Sequence, residues 1–73
     1  MMPLTFYKIG ESGTIARVSG SEEVRSHLND LGFVVGGQIS IVNELAGNII
    51  VNVKESRVAI DKNMANKIMV ESV

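Results

Sequence analysis

The chain has no cysteine and no tryptophan, a single proline and a single histidine, and its only aromatic residues are two Phe and one Tyr. Without cysteine there is neither a disulfide scaffold nor a thiolate metal site, which fits a reducing compartment. With so few aromatics the core must be aliphatic and small in cross-section, and Phe6, Tyr7 and Phe33 cannot line a groove for proline-rich peptides. Basic residues are also scarce: 7 Lys and Arg against 8 Asp and Glu give a net charge of -1, with no cluster of the kind a nucleic-acid surface needs. No apolar run approaches membrane-spanning length, and residues 1–10 lack the basic start and apolar core of a signal peptide. A cytoplasmic protein without membrane insertion is expected. At 73 residues the chain is one domain, 1–73, near the size at which a single core just suffices.

What is present is organised around residues 21–37, where a helix pattern with readable ends interrupts a chain patterned for short strands. Ser21 can accept from the free N–H groups of a first turn, and Glu22 and Glu23 suit its positive end. Ser19 with Glu22 offers a competing capping box. Val24, Leu28 and Leu31 recur at i, i+4 and i+7 on one stripe, and Arg25, Ser26, Asn29 and Asp30 fall elsewhere. Gly32 can take the positive φ that ends a helix, which places Phe33 back against it. Residues 34–37 then form a type II turn with Gly36 at the third position. So short a helix is not stable alone and needs cover.

The rest of the chain supplies strands. Residues 3–9 form a lead-in segment or single turn, and Gly10 and Gly13 bracket a turn over Glu11 and Ser12. Residues 14–18 form a strand whose imperfect phase suggests a bulge or strong twist. Residues 38–43 alternate about Ile39 and Ile41; 43–48 is a loop. In 49–54, Ile49, Val51 and Val53 alternate against Ile50, Asn52 and Lys54. Glu55 and Ser56 connect to 57–60, with Val58 and Ile60 inward. Asp61 caps a helical turn over 62–65, Met64 and Met69 fill the core, and Ile68, Val70 and Val73 carry a last strand. About five short strands in so small a chain imply a bent antiparallel sheet closing on itself, which removes exposed edges. An OB-like barrel or a split α/β sandwich fits the same pattern.

Read in order, these pieces resemble the FeoA family: Leu4, Gly10 with Gly13, Ile15 with Val18, Leu28 with Leu31, Gly32 and Phe33, Val35 with Gly36, Ile39 with Ile41, Val58 to Ile60, Met64 with Ala65, and Ile68 to Val70. The resemblance spans essentially the whole chain. Two turns depart from the family pattern, Val35 standing for the usual Pro and Glu55 with Ser56 lacking a frequent Gly. The resemblance implies a mainly β, small SH3-like barrel of about five short antiparallel strands, related to the C-terminal domain of DtxR-type iron-dependent repressors. One short helix would follow the first strand and one helical turn would precede the last. It further implies a small cytoplasmic adaptor or regulator of ferrous-iron uptake that binds the cytoplasmic part of a FeoB-type GTP-binding membrane transporter. The protein would be recruited through that partner to the inner face of the membrane. With neither a helix-turn-helix before it nor a transporter after it, the chain looks like a stand-alone copy. Alternatives are a repressor-type regulatory module binding a peptide or domain in trans, a weak divalent-metal-binding domain, and weak self-association. A small RNA-binding barrel, disfavoured by charge, would need a basic patch from Lys8, Arg17, Lys54 and Arg57.

The family has no agreed catalytic residues, and the residues offer none. The serines lack a nucleophile elbow, no acid orienter can be tied to the lone histidine, and no phosphate loop is present. Glu23, His27 and Asp30 do set an imidazole between two carboxylates on one helix strip, donors that suit Fe2+, Zn2+ or Mn2+. One nitrogen and two solvated carboxylates are few for a true site, and the plainer reading is a solvated helix face. No resident cofactor is expected, only weak divalent binding. For partner contact, the apolar residues Val34, Val35 and Leu45, with Gly36, fall at expected surface turns and are the candidates; the competing role for Val34 or Val35 is to plug the end of the core.

Overall fold

A computed structural model describes residues 1–72. Six strands form one antiparallel sheet: β1 (Met2–Pro3), β2 (Ser12–Val18), β3 (Gln38–Leu45), β4 (Asn48–Val53), β5 (Ser56–Asp61) and β6 (Ile68–Ser72). Helix α1 (Glu22–Leu31) joins β2 to β3, helix α2 (Lys62–Ala65) joins β5 to β6, and a 3-10 turn (Leu4–Phe6) follows β1. The expected last strand is present as β6, and its extension to Val73 lies outside the described residues.

Alternation fixes which faces meet. Ile39, Ile41, Ile49, Val51, Val53, Ile60, Ile68 and Val70 are buried together with Leu4, Ile15, Leu28, Phe33 and Ala65, and among the described residues no polar or charged one is buried with them. Each fully buried Ile, Val or Leu contributes about 1.5–3 kcal/mol against the entropy of ordering the chain. Val24, Leu31, Val58 and Met64 pack half-buried around this core.

The barrel expected from the strand pattern does not close. The sheet order is β1-β6-β2-β3-β4-β5, so among the described residues β1 and β5 are separate edges with no ladder between them. The physical reason lies in the closing elements. Strand β1 is two residues long and includes Pro3, which has no N–H to extend a ladder. The seam is instead spanned by side chains: the Leu4–Phe6 turn packs on α2, and Thr5 Oγ1 donates to Asn66 Oδ1 at 2.7 Å. Nor is the strand count five. The two-residue β1 pairs with Val70 and Met69 of β6 and adds a sixth strand ahead of the expected first, so α1 follows the second strand.

Local boundaries shift as well. Gly13 is not a turn residue but lies inside β2, where a Cβ would stand 2.5 Å from the Glu71 carbonyl oxygen and 2.6 Å from Val70 Cγ1. The turn is two residues earlier, over Ile9 and Gly10, closed by the Glu11 N–H on Lys8 O at 3.0 Å. Strand β3 runs through the expected 43–48 loop to Leu45, leaving only Ala46 (φ 52°) and Gly47 (φ 81°) to reverse the chain. At the next hairpin the connection is Lys54 and Glu55, not Glu55 and Ser56, because Ser56 already pairs with Val53. In both cases ladder pairing extends as far as two-residue loops allow. The bulge expected in β2 is present, with a register shift between Ile15 and Arg17, and β3 carries a second between Ile41 and Asn43.

Candidate functional site

Residues 21–37 fold as their local chemistry dictates. Ser21 is the N-cap, its Oγ accepting from the Val24 N–H at 3.2 Å, so the alternative start at Ser19 is not used. At the other end Gly32 takes φ 111°. Its N–H donates to Asn29 O and that of Phe33 to Leu28 O, both at 3.0 Å. These are the paired bonds of a Schellman stop, and they drive Phe33 fully into the core. Leu28 is fully buried one turn earlier, with Val24 and Leu31 half-buried beside it.

The chain leaves the core through a type II turn. The Gly37 N–H donates to Val34 O at 2.9 Å, with Gly36 at φ 88°. Two further bonds pin this turn to β2, Gly36 N–H to Ile15 O and Ile15 N–H to Gly37 O, each at 2.8 Å. Val34 is half-buried, and Val35 stands 68 % exposed at the apex. An apolar side chain is thus held in water on a backbone that cannot fold it away. Strand β3 leads from this turn to an open depression of about 350 Å³ lined by Ser12, Gln38, Ile39, Ser40, Asn52 and Lys54. Gln38, one of these lining residues, donates through Nε2 to Thr14 Oγ1 at 3.1 Å. An exposed apolar knob and a shallow hollow of mixed lining can bind a protein surface, and they offer nothing that activates a nucleophile.

The other candidates fall elsewhere. Leu45 is 66 % exposed, but all of β3 separates it from Val35, about 26 Å of strand at the usual rise. The four expected contact residues therefore form two surfaces at opposite ends of one strand. The Gly10 N–H donates to Ile41 O at 2.9 Å, which brings Ile9, 56 % exposed, alongside the middle of β3. Sequence reasoning missed Ile9 and the still more exposed Phe6 because neither sits in an alternating stretch. Only the phase of the lead-in segment, with Leu4 and Tyr7 turned inward, could have marked them as outward.

Glu23, His27 and Asp30 all lie exposed on α1. Among the described residues no group of three or more His, Asp or Glu is gathered closely enough to hold a metal ion. The strip supplies separate solvated donors, and no helix among those residues is long and apolar enough to cross a membrane.

Comparison with known proteins gives a consistent picture. The FeoA domain family matches residues 2–72. A relative from Methanocaldococcus jannaschii, assigned as Fe(2+) transport protein A, is 31 % identical over 71 residues, covering 97 % of this chain and 87 % of the relative. The crystal structure of an iron uptake regulatory protein, FeoA, superposes with a TM-score of 0.91 at 27 % identity, covering 99 % of this chain and 97 % of that one. A manganese-dependent transcriptional repressor shares the fold, with a TM-score of 0.86 at 24 % identity over 97 % of this chain and 41 % of its own.

Proposed function

The chain belongs to the FeoA family of non-catalytic, SH3-like adaptors of ferrous-iron uptake, and from that premise we propose that it works by binding the cytoplasmic GTP-binding part of a FeoB-type iron transporter directly, through the turn at residues 34–37. The observation that carries the contact surface is Val35, exposed on a turn with backbone bonds on both sides. A preformed apolar anchor loses little conformational freedom on docking, which is what a small adaptor with limited surface needs. Gln38, Ser40 and Asn52 in the depression along β3 supply hydrogen-bonding groups to the same partner, as a rim does. Binding of this kind recruits the protein to the inner face of the membrane through its partner. Within this reading the strip of Glu23, His27 and Asp30 is a solvated face where a divalent ion exchanges freely, and iron passes through the transporter.

The test is titration of the labelled protein with the transporter's isolated cytoplasmic domain in each nucleotide state, following backbone amide shifts. Shifts centred on residues 34–38 are expected, and Val35→Asp weakens binding by about tenfold or more while leaving thermal unfolding unchanged. Absence of shifts in both nucleotide states overturns direct binding. Shifts confined to Ile9 and Leu45 move the contact to the other end of β3.

A further inference from the structure

Strand β5 is the longer free edge of the sheet. Among the described residues its one ladder partner is β4, and the opposite edge is the two-residue β1 with Pro3. The two-residue loop makes Val53 and Ser56 a hydrogen-bonded pair. Alternation along an antiparallel ladder then gives the next such pairs to Val51 with Val58 and Ile49 with Ile60. Arg57, Ala59 and Asp61 therefore turn their backbone groups away from β4, and all three residues are exposed. Such an edge is a template for one more strand.

We propose that this strand is β5 of a second copy of the chain, paired antiparallel about a two-fold axis at Ala59. The charges of β5 select this register. Only odd-numbered residues face outward, so odd must meet odd. With Ala59 opposite Ala59, Arg57 of each copy faces Asp61 of the other. A slip of two residues in one direction sets Asp61 against Glu55, and a slip of four sets Arg57 against Arg57. A slip the other way runs the ladder into α2 and shortens it. Opposite charges directly across a ladder favour pairing, and like charges oppose it.

Both charged side chains are already held in place. Arg57 Nε donates to Asn52 Oδ1 at 3.3 Å, which leaves the other guanidinium N–H groups free to reach across. Asp61 Oδ1 accepts the Met64 N–H at 2.8 Å as the cap of α2, which leaves its second oxygen. Ala59 on the axis is small enough for two backbones to meet, and the half-buried Val58 is covered by Ile60 of the second copy. The sheet becomes continuous through two copies, with about four backbone hydrogen bonds at the join, because the Asp61 carbonyl is taken by α2.

Sedimentation and amide exchange from about 10 μM to about 1 mM test this. A concentration-dependent dimer is expected, with exchange slowed at the Arg57 and Ala59 amides. Ala59→Pro removes an N–H that faces away from β4 and abolishes the dimer with the hairpin intact. Arg57→Asp sets aspartate against aspartate and weakens the dimer by about tenfold; Asp61→Asn keeps the cap and weakens it by less. If Ala59→Pro unfolds the chain, Arg57→Asp decides alone, because it removes no ladder bond. A monomer throughout the range, or a dimer that these substitutions leave unchanged, overturns the proposal. So does loss of transporter-domain binding by Ala59→Pro in a chain that stays monomeric, which would give the edge to the partner.

Discussion

Residues 21–37 and the β4–β5 hairpin are two compact units that reach their conformations by opposite routes. In the first, every local requirement is met by a residue suited to it: Ser21 at the cap, Gly32 and Gly36 at positive φ, and Phe33 where the stop aims it inward. In the second, Lys54 is held at φ 53°, a conformation that costs a side-chain-bearing residue about 1–2 kcal/mol. Pairing of β4 with β5 and burial of Val51, Val53 and Ile60 impose that turn against local preference. The first unit closes on its own internal bonds and is tied to β2 at Gly36 and Gly37, and the second ends in an open edge. Local agreement gives rigidity, and tertiary imposition leaves strain and unpaired backbone behind.

Substitutions can break this contrast or sharpen it. Phe33→Ala removes the fully buried side chain on which the helix stop converges, and is expected to cost about 3–5 kcal/mol in chemical denaturation. A loss below about 1 kcal/mol would mean that α1 is not anchored through this residue. Gly13→Ala tests the closest approach of β2 to β6. Its Cβ meets the Glu71 carbonyl oxygen, and overpacking of about 1–3 kcal/mol is expected, read as a lowered melting temperature. Gly32→Ala has room, with only Val53 Cγ2 at 3.4 Å and Lys54 Cδ and Val53 Cβ at 3.8 Å, so its cost of about 1–2 kcal/mol comes from φ alone. Lys54→Gly should do the reverse and stabilise the hairpin by about 1 kcal/mol, since a glycine accepts the turn without strain. A destabilising result would mean that Lys54 contributes more through its side chain than its backbone costs. His27→Ala is expected to change stability by less than about 0.5 kcal/mol and to leave transporter binding intact, because the residue is exposed on α1.

Much of the first unit was legible in the sequence. Its signals are carried by single residues whose consequences reach no further than four or five positions: a hydroxyl for a free N–H, a glycine for a positive φ, an apolar side chain one turn from its neighbour. Inward faces were legible too, since Ile39 with Ile41 and Ile49 with Val51 and Val53 alternate cleanly. Less could be read of the site. Val35 was recognisable as an apolar turn residue, yet its separation from Leu45 depends on β3 running unbroken past Asn43, which the polar pair Asn43 and Glu44 gave no reason to expect. Ile9 is brought beside β3 by the bonds that Gly10 and Glu11 make with Ile41.

By itself, then, the sequence determined the ends of α1, the type II turn, the aliphatic core, the inward face of nearly every strand and the resemblance that led to the family. Only the tertiary structure decided that the sheet stays open, that a sixth strand forms from Met2 and Pro3, where the hairpin loops fall and which edge is left unpaired. The reason is that a period of two records which way a side chain points but not which strand lies beside it. That neighbour is chosen by ladder bonds between residues far apart in the chain, and by the geometry of Pro3 and α2 at the seam.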